Sequence, residues 1–451
     1  MNKIISFLIF LFIFPSSVYS EYKKPNIILI TIDALRPDHL GCYGYERNTS
    51  PNIDRLAKEG VIFTQAIAQS CWSYPSIFSI LTSTYPSTHG VLSPSHNLKE
   101  VPLLSQILKE NGYYTVAICA HYTISEVKKL RDSFNKFFSF KGEEDNFWIV
   151  NNAQEVTKIA KKWLRNNYKR RFFLWIHYMD CHGPYKPPSP YDKMWIKEQF
   201  NKLDHLSVSE HLWLGLGGVP KYMSKFMDIE HMSKENYISQ YDGEISFVDN
   251  QIGFLLDELK KLGVEKKTII ILTSDHGESL GEHNYFGHEL LLYDNLLKVP
   301  LIIKCPHIFS SNKIITKQVR SIDIMPTILD ILNLKQPDIA NGKSLIPLIQ
   351  GKENFHVLYA FSSYENYLKR YSIRSEEWKL IYTKESDKYE LYNLKKDPQE
   401  LANLYGKETA IAEEFKKELE KYLNKSLLSN KTSGEINKDT EEILRNLGYL
   451  Q

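Results

Sequence analysis

The chain has 451 residues, 43% of them hydrophobic, and 56 Lys and Arg against 54 Asp and Glu give a formal net charge of +2. That length supports one large core or two domains, while the near-neutral balance supplies no electrostatic footprint for nucleic acid or for an anionic membrane surface. The five cysteines, Cys42, Cys71, Cys119, Cys181 and Cys305, lack CxxC spacing, which argues against a zinc module and a disulfide-dense scaffold and leaves room for one isolated bridge.

The N-terminus reads MNKIISFLIFLFIFPSSVYSEYKKP, with Lys3 ahead of an unbroken apolar run and Val18-Tyr19-Ser20 behind it. This pattern predicts a secretory signal peptide over residues 1–20, cleaved before Glu21. The run is short for a membrane span, so no stable span is expected after cleavage and the mature protein is expected to be exported, periplasmic or secreted, with an uncleaved N-terminal anchor as the alternative. Apolar, β-branched runs follow at NIILITID (26–33), YYTVAICA (113–120), FFLWIHYMD (172–180), TIIILTSD (268–275) and VPLIIKCP (299–306). Continuous apolar character is what strands covered on both faces require. Between them, segments 50–60, 102–112 and 241–263 carry helical spacing, each closed by a glycine just past its end. The alternation predicts an α/β fold with a doubly wound, mainly parallel sheet.

Residues 183–240, rich in Pro, Lys, Trp and Met, read as an excursion over the crevice at the strand ends. Past residue 340 the segment NGKSLIPLIQGKE reads as a linker, and the stretches 371–383 and 388–400 alternate like antiparallel strands joined at KESD. The cluster EEFKKELEKYLNK at 413–425 has the spacing of a solvated helix face. The expected organisation is therefore a signal segment (1–20), a catalytic domain (21–340) and a smaller C-terminal α+β subdomain (341–451).

Three strands end in charged residues: Asp33, Asp180 with His182, and Asp275 with His276. In open α/β sheets ligands bind beyond the carboxyl ends of the strands, so these side chains are expected to share one crevice. Asp33, Asp275 and His276 are hard oxygen and imidazole donors, suited to Ca²⁺, Mg²⁺, Mn²⁺ or Zn²⁺ rather than to a thiolate metal. Ser73, just ahead of an apolar helical run in QSCWSYPSIFSILTSTYPSTHG, has two readings. It can cap the helix, and it can also join the metal as a ligand and act as an activated nucleophile.

At this point the chain resembles the sulfatases of the alkaline phosphatase superfamily. PNIILITIDALRPDHLGCYGY resembles the family's first metal strand, WSYPSIFSILTSTYPSTHG its nucleophile segment and FFLWIHYMDCHGPYKPP its active-site histidine loop. TIIILTSDHGESLGEHNYFGHELLLYDNLLKVPLII resembles the second metal strand, and SIDIMPTILDIL, GKSLIPLI and YELYNLKKDPQELANL resemble later landmarks. The resemblance implies Asp33, Asp275, His276 and Ser73 as metal ligands, with Ca²⁺ the first choice, and Ser73, as plain serine or as formylglycine, as nucleophile. It implies His182 as a contact to the transferring group or a leaving-group acid, and His288 in the place of a basic residue on the sulfate; either histidine can assist the leaving group, with His182 the first choice. His283 and His89 stand evenly between site and structure, and His177, inside an apolar strand, reads as a core histidine. The implied activity is hydrolysis of an organic sulfate monoester, on a small molecule or a carbohydrate.

Three departures stand out. Many sulfatases carry two adjacent Asp after the first strand, whereas Asp33 is followed here by Ala34. The modification signal around the nucleophile ends on Arg in the family and reads Ser73-Tyr74-Pro75-Ser76-Ile77 here. The Gly-Lys-x-His element has no match, with His121 in its region. An unmodified Ser73 on the same fold would instead suit a phosphodiesterase, phosphonate hydrolase or phosphoglycerol-type transferase. A catalytically inactive binding module is the third alternative.

Overall fold

Asn26–Ile32 (β1) is buried along its whole length, and its side chains alternate between two apolar layers. Ile27 and Leu29 face one, with Ile77 and Phe78 of Ser73–Thr82 (α2), Leu104 and Leu108 of Leu104–Glu110 (α3) and Ile328 of Ile324–Ile331 (α6). Ile28, Ile30 and Ile32 face the other, with Ile53 and Leu56 of Pro51–Lys58 (α1), Val156 and Leu164 of Ala153–Asn167 (α4) and Ile245 and Leu255 of Lys234–Lys261 (α5). Each such isoleucine taken fully out of water stabilises the fold by about 1.5–3 kcal/mol. This computed structural model describes residues 24–140, 153–197, 205–210, 215–306, 308–309, 311–352 and 359–429. The signal segment expected over residues 1–20 lies outside them.

The central sheet has eight strands: β1, β2 (Val61–Ile67), β3 (Tyr114–Cys119), β4 (Lys136–Ser139), β5 (Phe172–Tyr178), β6 (Thr268–Ser274), β7 (Lys298–Lys304) and β8 (Lys313–Arg320). Their order is β8-β2-β7-β6-β1-β5-β3-β4, and all but β7 run the same way. The doubly wound, mainly parallel sheet is thus as expected, with one antiparallel member. The sequence reading did not anticipate β2, β4 and β8, and it started α5 too late. That helix begins where Ser233 Oγ accepts a hydrogen bond from Asn236 N at 3.2 Å. The glycines closing α3 and α5, Gly112 and Gly263, adopt positive φ, whereas Gly60 after α1 does not. A side chain on Gly60 would meet Ile303 O at 2.7 Å, so close approach to β7 is what requires it.

A second, antiparallel sheet follows in the order β9 (Ala360–Glu365), β10 (Lys369–Arg374), β11 (Trp378–Thr383) and β12 (Lys388–Asn393), with the turn at KESD as expected. The helix α7 (Thr409–Ser429) covers it, packing Ala412, Phe415 and Leu419 on Ile373, Leu380 and Leu391. β9 is laced to the segment just ahead of Ser73, since Ser363 N donates to Gln69 O at 3.0 Å and Ser70 Oγ to Ser363 O at 2.6 Å. Buried charges make a second fastening. Asp294 pairs with Arg374 and Lys379 at 2.9 Å each, and Lys379 also pairs with Glu400 at 2.9 Å. All five cysteines are free thiols, so the room for a bridge is unused.

Candidate active site

β1 lies between β5 and β6 in the sheet, so the ends of these three strands open onto one place. Asp33 leaves β1 there, Asp275 and His276 leave β6, and α2 starts at the same edge with Ser73 as its first residue. The N-cap position belongs to Trp72, and no side chain caps the helix. The capping role read for Ser73 is therefore replaced: its hydroxyl donates to Asp33 Oδ2 at 2.9 Å and lies 3.1 Å from His276 Nε2.

The carboxylates divide their oxygens. Asp275 Oδ1 accepts from His276 N at 3.0 Å and Ala34 N at 3.3 Å, while Asp275 Oδ2 and Asp33 Oδ1 are buried with no hydrogen-bond partner. Each of these two oxygens is 3.5 Å from His276 Nε2. His276 Nδ1 sits 2.7 Å from Gly277 O, which places the proton on Nδ1 and turns the Nε2 lone pair to the carboxylates. One atom each from Asp33, Asp275 and His276 falls within 4.8 Å of the others, all fully buried. Two unpartnered carboxylate oxygens facing an imidazole lone pair are costly without a cation between them, and this donor set fits a divalent ion. Burial pushes the Asp33 carboxyl up, but His177, His182 and His276 outweigh it and hold the group well below its ordinary range. Ala34, where many sulfatases place a second Asp, takes a left-handed backbone with φ 54°, and its carbonyl accepts from Tyr241 Oη at 2.7 Å.

The predicted histidines come in beside this cluster. The ring of His288 lies 4.5 Å from that of His276 and 4.7 Å from that of His182. His182 Nδ1 is 2.6 Å from Gly183 O, and burial pushes this imidazole below its ordinary pKa. His288 behaves oppositely. Burial pushes it down, but Glu278, with Oε1 3.3 Å from His288 Nδ1, raises it to about 9. Glu278 is itself buried and accepts from Tyr185 Oη at 3.0 Å. The excursion from residue 183 meets the loop carrying His288 where Phe286 N donates to Gly215 O at 2.9 Å.

The remaining histidines sort by contact. His89 is buried against Ser79 Oγ at 3.1 Å, Pro75 O at 3.2 Å and Val91 N at 3.1 Å, a structural role. His283 stacks on Tyr293 with ring centroids 3.6 Å apart, away from the cluster. His121 caps the short helix after β3, accepting from Ile124 N at 3.4 Å. Burial pushes His121 down to about 3. His177, read as a core histidine, is buried but points into the site, with Nε2 3.6 Å from Asp33 Oδ2. Sequence reasoning missed Glu278 as well; the signal for it was a carboxylate two residues beyond His276, facing the same edge.

With the site in view, comparison with known proteins is decisive on family: the sulfatase family model matches residues 25–334. The chain belongs to the sulfatase family. This chain is a sulfuric ester hydrolase. A second model, described as N-sulphoglucosamine sulphohydrolase, C-terminal, matches residues 281–427. An N-acetylglucosamine-6-O-sulfatase from Bacteroides thetaiotaomicron is 24% identical, covering 86% of this chain and 84% of the relative. An arylsulfatase from Clostridium perfringens is 26% identical, covering 90% of this chain and 94% of the relative. A solved structure in complex with its substrate D-glucosamine-2-N,6-O-disulfate has the same fold, with a TM-score of 0.74 at 22% identity over 91% of this chain and 100% of that one. Ile77, where the resemblance leads one to expect an Arg, is 1% exposed and packed in the apolar layer with Phe78 and Leu81.

Proposed function

We propose that this sulfatase hydrolyses a sulfate monoester of a sugar outside the cytoplasm, with the oxygen on residue 73 as nucleophile. The observation that carries the reading is the convergence of the Ser73 hydroxyl on His276 and two orphaned carboxylate oxygens. Asp33, Asp275, His276 and Ser73 would hold one divalent ion, Ca²⁺ by family precedent, with Mg²⁺, Mn²⁺ or Zn²⁺ compatible with the donors. Such an ion lowers the pKa of a bound hydroxyl and draws charge from the ester oxygens. Relatives that act on sulfated glucosamine support a sugar substrate. The Lys3-led apolar run supports export, and N-terminal sequencing of the mature protein should begin at Glu21.

The chain's own residues divide the proton transfers. The Ser73 oxygen attacks sulfur and its proton passes to Asp33 Oδ2, which already accepts it at 2.9 Å. As the sulfur–oxygen ester bond breaks, His288, held protonated by Glu278, gives its proton to the departing alkoxide. His182, pinned by Gly183 O and 4.7 Å from His288, borders the transferring group. Water then attacks sulfur and gives its proton to the deprotonated His288, and the Ser73 oxygen leaves sulfur by taking back the proton held on Asp33 Oδ2. A formylglycine hydrate instead loses the proton of its second hydroxyl, breaks the carbon–oxygen bond to sulfate and returns to the aldehyde.

Turnover assays with aryl sulfate, N-acetylglucosamine 6-sulfate and aryl phosphate esters test the class, and Ser73→Ala should abolish activity on all of them. Asp275→Ala should lose bound metal and activity yet stay folded; full activity after chelation would refute the ion site. Peptide mass spectrometry of protein from the native host identifies the form of residue 73, with an aldehyde two hydrogens lighter than serine. The buried Ile77 favours a second reading of the nucleophile, a plain serine, the form that would also serve phosphate esters. An intact Ser73 in fully active protein, with phosphate esters preferred, would establish it.

A further inference from the structure

We propose that His177 is a positioning residue that assigns the two oxygens of Asp33, one to the nucleophile and one to the ion, and that Trp175 and Thr31 fix the hydrogen His177 needs for it. The inference rests on the ion site proposed above. β1 and β5 pair in register, Leu29 opposite Trp175 and Thr31 opposite His177, which puts three polar side chains in a buried row ending at Asp33. Trp175 Nε1 lies 3.0 Å from Thr31 Oγ1, and an indole nitrogen can only donate. Thr31 Oγ1 is therefore the acceptor there and keeps one hydrogen to give.

That hydrogen can go to His177 Nδ1 at 2.8 Å or to Ile176 O at 3.5 Å; the shorter contact, together with the Asp33 carboxylate facing Nε2, selects Nδ1 as the acceptor. With Nδ1 accepting, the ring hydrogen is on Nε2, which is buried without a hydrogen-bond partner and points at Asp33 Oδ2 3.6 Å away. The opposite tautomer would aim a nitrogen lone pair at a carboxylate. Oδ2 thus faces two donors, Ser73 Oγ at 2.9 Å and His177 Nε2, and Oδ1 is left to Asp275 Oδ2 and His276 Nε2. His177 is not one of the three residues whose donor atoms converge within 4.8 Å, so it acts through Asp33 rather than as a ligand. Because Ala34 brings no carboxylate, the aim of Asp33 matters more here than it would beside a second Asp. Partners behind a metal ligand change ion affinity about 10–100-fold when lost.

The test is calorimetric titration of Ca²⁺, Mg²⁺, Mn²⁺ and Zn²⁺ into metal-free protein. The wild type is compared with His177→Leu, His177→Gln, which retains an N–H donor, and Thr31→Val, each with its metal-free melting temperature. We expect His177→Leu to weaken the best-bound ion at least tenfold, His177→Gln to recover part of that, and Thr31→Val to weaken it several-fold. Nitrogen-15 spectra should show His177 with its hydrogen on Nε2 in the wild type and a mixture of tautomers in Thr31→Val. A wild type that binds none of the four ions overturns both this inference and the ion site on which it rests. Unchanged affinity in His177→Leu overturns this inference alone. Should that variant not fold, unchanged affinity together with an unchanged tautomer in Thr31→Val has the same force.

Discussion

Glu278 and His288 make the most direct case for reading chemistry at the level of single side chains. A buried carboxylate 3.3 Å from Nδ1 keeps His288 charged across neutral pH, whereas His182, 4.7 Å away and facing a carbonyl, is pushed down. His288→Ala should therefore slow esters with poor, high-pKa leaving groups far more than activated aryl esters, about 10²-fold or more against a few-fold. Equal losses along a leaving-group series would make His288 a binding residue. A histidine raised to about 9 by its partner donates a proton below that pH and fails above it, so Glu278→Gln should move the alkaline limb of kcat/KM to lower pH. Asp33, Asp275 and His276 were legible because each sits where an apolar run stops, a signal local to its own segment. His177 was not legible. Its meaning depends on facing Thr31 across a strand pair, and nothing within FFLWIHYMD shows which residue of another strand it will meet.

Helix α4 shows a cap supplied from a distance. Asp180, two residues past β5, accepts the N–H of Ala153 at 2.9 Å with Oδ1, while Oδ2 is buried without a partner. Burial raises this carboxyl to about 7, above the 3.8 of an exposed group. A raised acid binds a proton more tightly when folded, so its destabilising effect starts near pH 4 and is complete above about pH 7, with a ceiling of about 4 kcal/mol. Asp180→Asn keeps an acceptor for Ala153 and removes the charge. Its melting temperature should rise relative to the wild type between pH 4.5 and 8, about as far as this linkage allows; a constant difference would mean that Asp180 is not the titrating group. The antiparallel course of β7 could not be read from VPLIIKCP, because an apolar run carries no direction. β8 escaped notice for the opposite reason. An edge strand with charged and exposed positions, KIITKQVR does not show the unbroken apolar character of the strands inside the sheet.

At the scale of the molecule, Lys379 is the buried charge on which the join between the two sheets depends. It is 0% exposed and paired with Asp294 and Glu400, and the positive charges of Arg374 and Lys379 hold the desolvated Asp294 carboxyl far below its usual range. Lys379→Ala leaves Glu400 buried without its cation and should cost about 3–5 kcal/mol, read as a lower urea midpoint; adding Glu400→Gln should restore part of it. If the single variant unfolds like the wild type, Arg374 alone suffices for Asp294. The free thiols have a consequence of another kind. Four of the five, Cys71, Cys119, Cys181 and Cys305, are buried, and they sit at the start of α2, the end of β3, beyond β5 and beyond β7. In an oxidising compartment such a chain has no bridge to lose, but every transient opening bares a thiol that can couple to the wrong partner. In such a compartment its working life would then be set by how often these layers open rather than by how hot they must be made to melt, and the rate at which a thiol reagent marks each buried cysteine is a direct clock of that ageing.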